Sequence, residues 1–226
     1  MLATFLIEIF LIVYTLWRYK MTTITRLVVA ILGFLALFQL AEYMVCGGLG
    51  VSSEGWSRIG FVAITMLPPL GVHLATRIVG KNDRLLVGSA YATALAFGCL
   101  FMIAQGIVDR QVCGGNYIIY SVPQNITWLY GVYYYGWLFA GLVYTWQHAQ
   151  KTKKSTTKKA LLGLFAGYVL FMLPTTTVNI IDPTTMQAIP SIMCGFAVLL
   201  AFALVYKVIP EVVPQKHRWT WRRIKS

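Results

Sequence analysis

The chain has 226 residues, 58% of them apolar and only 12% charged, against roughly a quarter charged in an ordinary soluble domain. That composition excludes a soluble globular enzyme and a disordered chain. The net charge of +12, from nineteen Lys and Arg against seven Asp and Glu, would point to nucleic acid in a soluble protein; here it clusters at the ends of apolar runs, so nucleic acid is not an expected partner.

The apolar residues fall into seven runs, at about 2–17, 25–45, 58–78, 86–107, 126–146, 160–181 and 189–208. At ~1.5 Å per residue, a run of about twenty crosses a hydrocarbon core of ~30 Å. The expected architecture is an all-α integral membrane seven-helix bundle, multi-pass in the cell membrane, with residues 1–210 as the bundle and 211–226 as a basic cytoplasmic tail. The first run has no basic residue before it and no small-residue cleavage site after it, so it is read as helix one and not as a signal peptide. Alternate helix ends carry seventeen basic residues on one side, among them Arg18, Lys20, Arg26, Arg77, Lys81, Arg84, the 151–159 cluster and the tail, and only Arg58 and Arg110 on the other. This asymmetry predicts an outside amino terminus and a cytoplasmic carboxyl terminus.

Helix one carries Glu8, roughly 10 Å below the outer boundary, and helix two carries Gln39 and Glu42, the latter about 5 Å below it. Ionisable groups at such depth are costly and mark candidate sites, and these three side chains can share a level. Helix three contains Pro68 and Pro69, which should kink it near mid-bilayer. It also contains His73, near the cytoplasmic interface and about 20 Å in depth from Glu42, with a bland role beside the headgroups. Helix four carries Gln105 near its outer end and leads into an outer loop, 108–125, read as an ordered, turn-rich cap.

Cys46 and Cys113 both face the oxidising side, where they either form a disulfide over the mouth of the bundle or stay as two free thiols. Cys99 and Cys194 lie inside apolar helices as small packing residues. No metal site is expected, because the thiols are neither at chelating spacing nor at one depth.

Helix five opens with an aromatic run in which Tyr130, Tyr133, Tyr134 and Trp137 follow i, i+3, i+4, i+7 spacing and mark one face. That face either packs on neighbouring helices or lines a ligand pocket. The basic loop 148–159 is a topology determinant resting against anionic headgroups, or a docking site for a cytoplasmic partner. Helix six contains Pro174, a second site for a kink, and near its outer end Thr175, Thr176, Thr177 and Asn179, with Asp182 at the rim. Lys207 on helix seven sits at its inner end, where snorkelling explains it, and does not indicate retinal.

Polar groups thus concentrate in the outer half. A water-accessible cavity opening outward would require this, while interhelical hydrogen bonding alone is the competing explanation. The expected ligand-binding residues are Glu8, Gln39, Glu42, Tyr130, Tyr133, Tyr134 and Trp137. The outer half and rim carry Glu8, Glu42, Glu54, Asp109 and Asp182 against Arg58 and Arg110, a formal −3, so the expected small ligand is neutral or cationic. No nucleophile–base constellation, phosphate loop or cofactor motif appears, so neither an enzyme nor a cofactor is expected.

Trp56-Ser57-Arg58-Ile59-Gly60, leading to Leu67-Pro68-Pro69-Leu70-Gly71-Val72-His73, resembles helix three of the seven-helix amino-terminal sensor region of bacterial histidine kinases. Lys158-Lys159-Ala160-Leu161-Leu162-Gly163 and Ile189-Pro190-Ser191-Ile192 fit the same resemblance, which spans about 56–208. Gln39-Leu40-Ala41-Glu42 is also similar to a Gln-x-x-Glu pattern in small prokaryotic membrane proteins. The resemblance implies a sensor or receptor module, here without an attached kinase domain, that signals to a cytoplasmic or membrane protein partner. A transporter component or a structural subunit of a membrane complex is the alternative.

Overall fold

Short polar turns between long apolar stretches bring consecutive helices side by side and antiparallel, and the computed structural model follows that rule. It describes residues 1–47, 52–104, 107, 110–114, 118–181 and 188–216, with Arg110 and Asn179 described by backbone alone. Gln105, Asp109, Asp182, the Asn179 side chain and the tail beyond residue 216 lie outside the described residues.

The helices are α1 (Leu2–Arg18), α2 (Thr23–Gly47), α3 (Ser53–Thr65), α4 (Leu67–Val79), α5 (Arg84–Ile103), α6 (Gln124–Lys151), α7 (Ser155–Ile181), α8 (Ile189–Ala203) and α9 (Ile209–Val212). A π-helical turn, Leu204–Val208, joins α8 to α9. It ends two residues before Pro210, whose missing N–H disturbs the hydrogen-bond ladder one turn earlier. Among the described residues, five stretches are long and apolar enough to cross a membrane: Thr23–Gly47, Ser53–Val79, Arg84–Ile103, Ser155–Val178 and Ile189–Val212. α1, with 17 residues, is short, and the 28 residues of α6 include many Tyr, Trp, Gln and His.

The expected kink in the third span is a break. α3 stops at Thr65 and α4 restarts at Leu67, with both prolines in its first turn, where a missing N–H costs least. α7, by contrast, runs as one element through Pro174. α4 ends on Gly80, whose φ of 81° suits glycine, with Lys81 N–H returning to the Thr76 carbonyl in a Schellman closure.

α2 is the central helix, buried on most of its circumference from Thr25 to Val45, and packs against α1, α3, α4 and α8. α5 is peripheral: Leu85, Leu95, Met102 and Ile103 are exposed, and its buried contacts are Ala90, Ala94 and Phe101. α7 lies along α8 and the π-helical turn through small residues, since a Cβ at Gly167 would meet Leu200 of α8 at 2.7 Å and one at Gly163 would meet Lys207 of the turn at 3.1 Å. At the basic end, Lys20 N–H donates to the Pro214 carbonyl at 3.1 Å and Lys216 N–H to the Arg18 carbonyl at 2.9 Å, tying the residues after α9 to those after α1.

The turn-rich cap contains a two-stranded antiparallel sheet absent from the sequence reading: β1 (Arg110–Cys113) and β2 (Ile118–Ser121), in register Arg110 with Ser121 and Cys113 with Ile118. Ile118 and Tyr120 point into the bundle and are buried, while Ser121 is exposed. A Cys46–Cys113 disulfide fixes this hairpin to the end of α2.

Candidate functional site

The site begins at the helix break. Pro69 has no N–H for the Thr65 carbonyl, and a freed carbonyl inside an apolar bundle must find another donor. The Tyr133 hydroxyl donates to it at 2.7 Å. One turn back on the same α6 face, the Tyr130 hydroxyl bonds the Thr65 hydroxyl at 3.0 Å, and the Thr65 hydroxyl itself donates to the Phe61 carbonyl. Two of the four side chains expected to mark a ligand face therefore seal the break. Trp137 is engaged elsewhere, its indole N–H donating to the Thr93 hydroxyl of α5 at 3.0 Å.

Above the break, towards the hairpin, lies a cavity of about 430 Å³, within the range of small-molecule sites. α3 contributes Phe61 and Ile64, α5 contributes Phe101, and β2 contributes Tyr120. α6 supplies Trp128, Tyr130, Gly131, Val132, Tyr134 and Tyr135, and α8 supplies Ile189, Pro190 and Met193. Phe61 sits at the centre of the aromatic wall, 4.8 Å between ring centroids from Phe101 and 5.1 Å from Tyr120. Among the described residues, the lining holds no charged side chain. Three of its hydroxyls already have protein partners, Tyr120 on Glu42, Thr127 on backbone carbonyls and Tyr130 on Thr65. Such a chamber favours an uncharged, largely apolar molecule with few hydrogen-bonding groups.

Glu8, Gln39 and Glu42 are all buried, at 0%, 2% and 1% exposure, and lie off the cavity lining, as do Tyr133 and Trp137. Cys194 of α8 lies within electrostatic reach of both Glu42 and Glu8. The Tyr120 hydroxyl donates to Glu42 at 3.5 Å, and Ser191 of α8 reaches the same carboxyl. Burial, reinforced by the Glu42 carboxyl, pushes the Tyr120 phenol well above its ordinary range, so it remains a donor. Tyr120 thus separates the two expected parts of the site, with its ring on the cavity and its hydroxyl on the acid. Neither carboxyl oxygen of Glu8 has a hydrogen-bond partner among the described residues.

The remaining outer polarity is largely satisfied locally. Thr175, Thr176 and Thr177 each return their hydroxyl to the carbonyl four residues back, at 2.8 to 3.0 Å. Glu54 is paired with Arg58, which also donates to the Met102 carbonyl. His73 contacts Tyr91 at 3.3 Å and accepts from Arg77 at 3.2 Å, far in sequence and partners from Glu42. Among the described residues no three His, Cys, Asp or Glu side chains are placed to hold a metal ion.

The sequence reading missed Tyr120, Phe61, Phe101 and Met193. The Gly114-Gly115-Asn116 turn signal before Ile118-Ile119-Tyr120 could have pointed to a strand there, but that run does not alternate and does not single out Tyr120. The other three carry no signal distinct from ordinary core residues. No family model, curated protein or solved structure matches the chain.

Proposed function

We propose that the chain is a multi-pass protein of the cell membrane, with seven spans and an outside amino terminus, acting as a receptor-like sensor. Its ligand occupies the 430 Å³ cavity, which this orientation puts in the outer half, and is small, uncharged and largely apolar. The observation that carries this reading is the cavity itself, walled by aromatic rings from four parts of the chain and bordered by the α3–α4 break. A ligand that shifts Tyr130 disturbs its bond to Thr65, and with it the junction from which α4 runs to the basic end. Element-terminal residues of this kind are where hinge motions absorb backbone change. The cationic face formed by Lys151, Lys153, Lys154, Lys158 and Lys159 is then the surface offered to a cytoplasmic or membrane protein partner. The resemblance to histidine-kinase sensor regions belongs to this proposal.

A transporter would need a polar route onward. Below the cavity the bundle closes on Leu35, Leu67, Leu138 and Leu164, around a void of only 20 Å³, which favours a receptor.

The test uses Gly131, which lines the cavity and where a Cβ would meet open space. Gly131→Leu should therefore fill the chamber without disturbing the fold. Calorimetric titration of protein in lipid nanodiscs with 2-naphthol, and with phenyltrimethylammonium as a cationic counterpart, should give saturable binding of the neutral probe, weakened about tenfold or more by Gly131→Leu. Binding of neither probe, or binding indifferent to Gly131→Leu, overturns the reading.

A further inference from the structure

We infer that the cavity is filled from the side, by an uncharged amphiphile dissolved in the outer leaflet that enters across α6 at Val132, and not by a solute arriving from water. This rests on the cavity being a ligand site. Trp128, Val132, Gly136 and Phe139 recur at helical spacing and form the exposed stripe of α6. Trp128 and Val132, at 62% and 69% exposure, belong at once to that stripe and to the cavity wall. The cavity is therefore open on the flank that the proposed orientation turns to lipid.

The route from the end of the bundle is obstructed. Ile118 and Tyr120 plug into the bundle at 0% and 2% exposure. The hairpin that bears them is held by the Cys46–Cys113 disulfide, by Ile118 N–H donating to the Ser191 hydroxyl at 3.1 Å, and by Tyr120 on Glu42. The described lining residues carry no charge and give a water-soluble ion nothing to exchange for its hydration, whereas an apolar body already in the bilayer loses none.

The experiment photolabels nanodisc-embedded protein with a diazirine-bearing decanol dissolved in the bilayer and maps the adducts by mass spectrometry. Adducts are expected at cavity residues such as Met193 and Tyr134, reduced about tenfold by Gly131→Leu. The time to half-maximal labelling should lengthen in Val132→Trp, shorten in Val132→Ala, and stay the same when Cys46–Cys113 is reduced. Labelling sensitive to Gly131 but hastened by reduction and indifferent to Val132 overturns access from the side while leaving the cavity as a ligand site. Adducts confined to lipid-facing positions such as Leu129 and Phe139 also overturn the inference. If 2-naphthol still binds in a Gly131-dependent way, the broader function survives; if it does not, both fall.

Discussion

Pro69 and Tyr133 form a matched pair, because the proline withholds one hydrogen-bond donor from Thr65 and the tyrosine returns one from a different helix. Tyr133→Phe should therefore cost about 1 kcal/mol, read as a lower melting temperature in detergent. Pro69→Ala in the Tyr133→Phe background should recover most of that loss by restoring the backbone donor, whereas equal melting of wild type and Tyr133→Phe would remove the pairing. A second residue-scale contact is sharper. The buried Tyr168 hydroxyl, without a partner among the described residues, fits into a notch between Gly71 and Gly141. A Cβ at Gly71 would collide with that hydroxyl and one at Gly141 would meet it at 3.0 Å. Gly71→Ala should destabilise by about 1–3 kcal/mol through overpacking, and Tyr168→Phe, nearly neutral alone, should rescue it. Failure of the double variant to melt above Gly71→Ala would show that the notch is not where the strain lies.

Among the elements, the hairpin depends most on partners outside itself, since strands of four residues supply few internal bonds. Its buried edge is anchored by Ser191, so Ser191→Ala should strip the Ile118 N–H of its acceptor and speed amide exchange across Ile118–Ser121, with a further increase on reduction of Cys46–Cys113. Unchanged exchange in the reduced Ser191→Ala protein would mean that other contacts hold the cap. The helices were legible in the sequence because run length, proline position and terminal basic residues are local properties. The two prolines announced a disturbance in the third span, but only packing against α6 decided that it is a break sealed by tyrosine hydroxyls. The strands were too short to stand out against a turn-rich loop, and in the unbroken apolar run Ile118-Ile119-Tyr120 only the fold decides that Ile118 and Tyr120 face inward.

At the scale of the whole molecule, the proposed orientation follows from the distribution of Lys and Arg, and Ser155 and Ser121 lie exposed at opposite ends of the expected topology. Single cysteines at these positions should react differently with an impermeant thiol reagent on intact cells, Ser121→Cys strongly and Ser155→Cys only after permeabilisation; external labelling of Ser155→Cys would invert the bundle. Glu8, Gln39 and Glu42 were visible in the sequence as polar groups inside apolar runs, and the structure buries all three. What the sequence did not carry was the cavity, because Phe61, Phe101 and Met193 become walls only when α3, α5, α8 and the hairpin meet around α6. Tyr130 and Tyr134 reach that wall, while Tyr133 and Trp137 on the same expected face are used between helices. The central claim, that this chamber holds a small uncharged molecule, is tested most directly by crystals grown in a lipid mesophase with 4-iodophenol and measured for anomalous scattering. An iodine peak is expected between Phe61, Tyr130 and Met193, absent in Gly131→Leu; peaks only on the lipid-facing surface, with none in the cavity, would show that the chamber is not a ligand site.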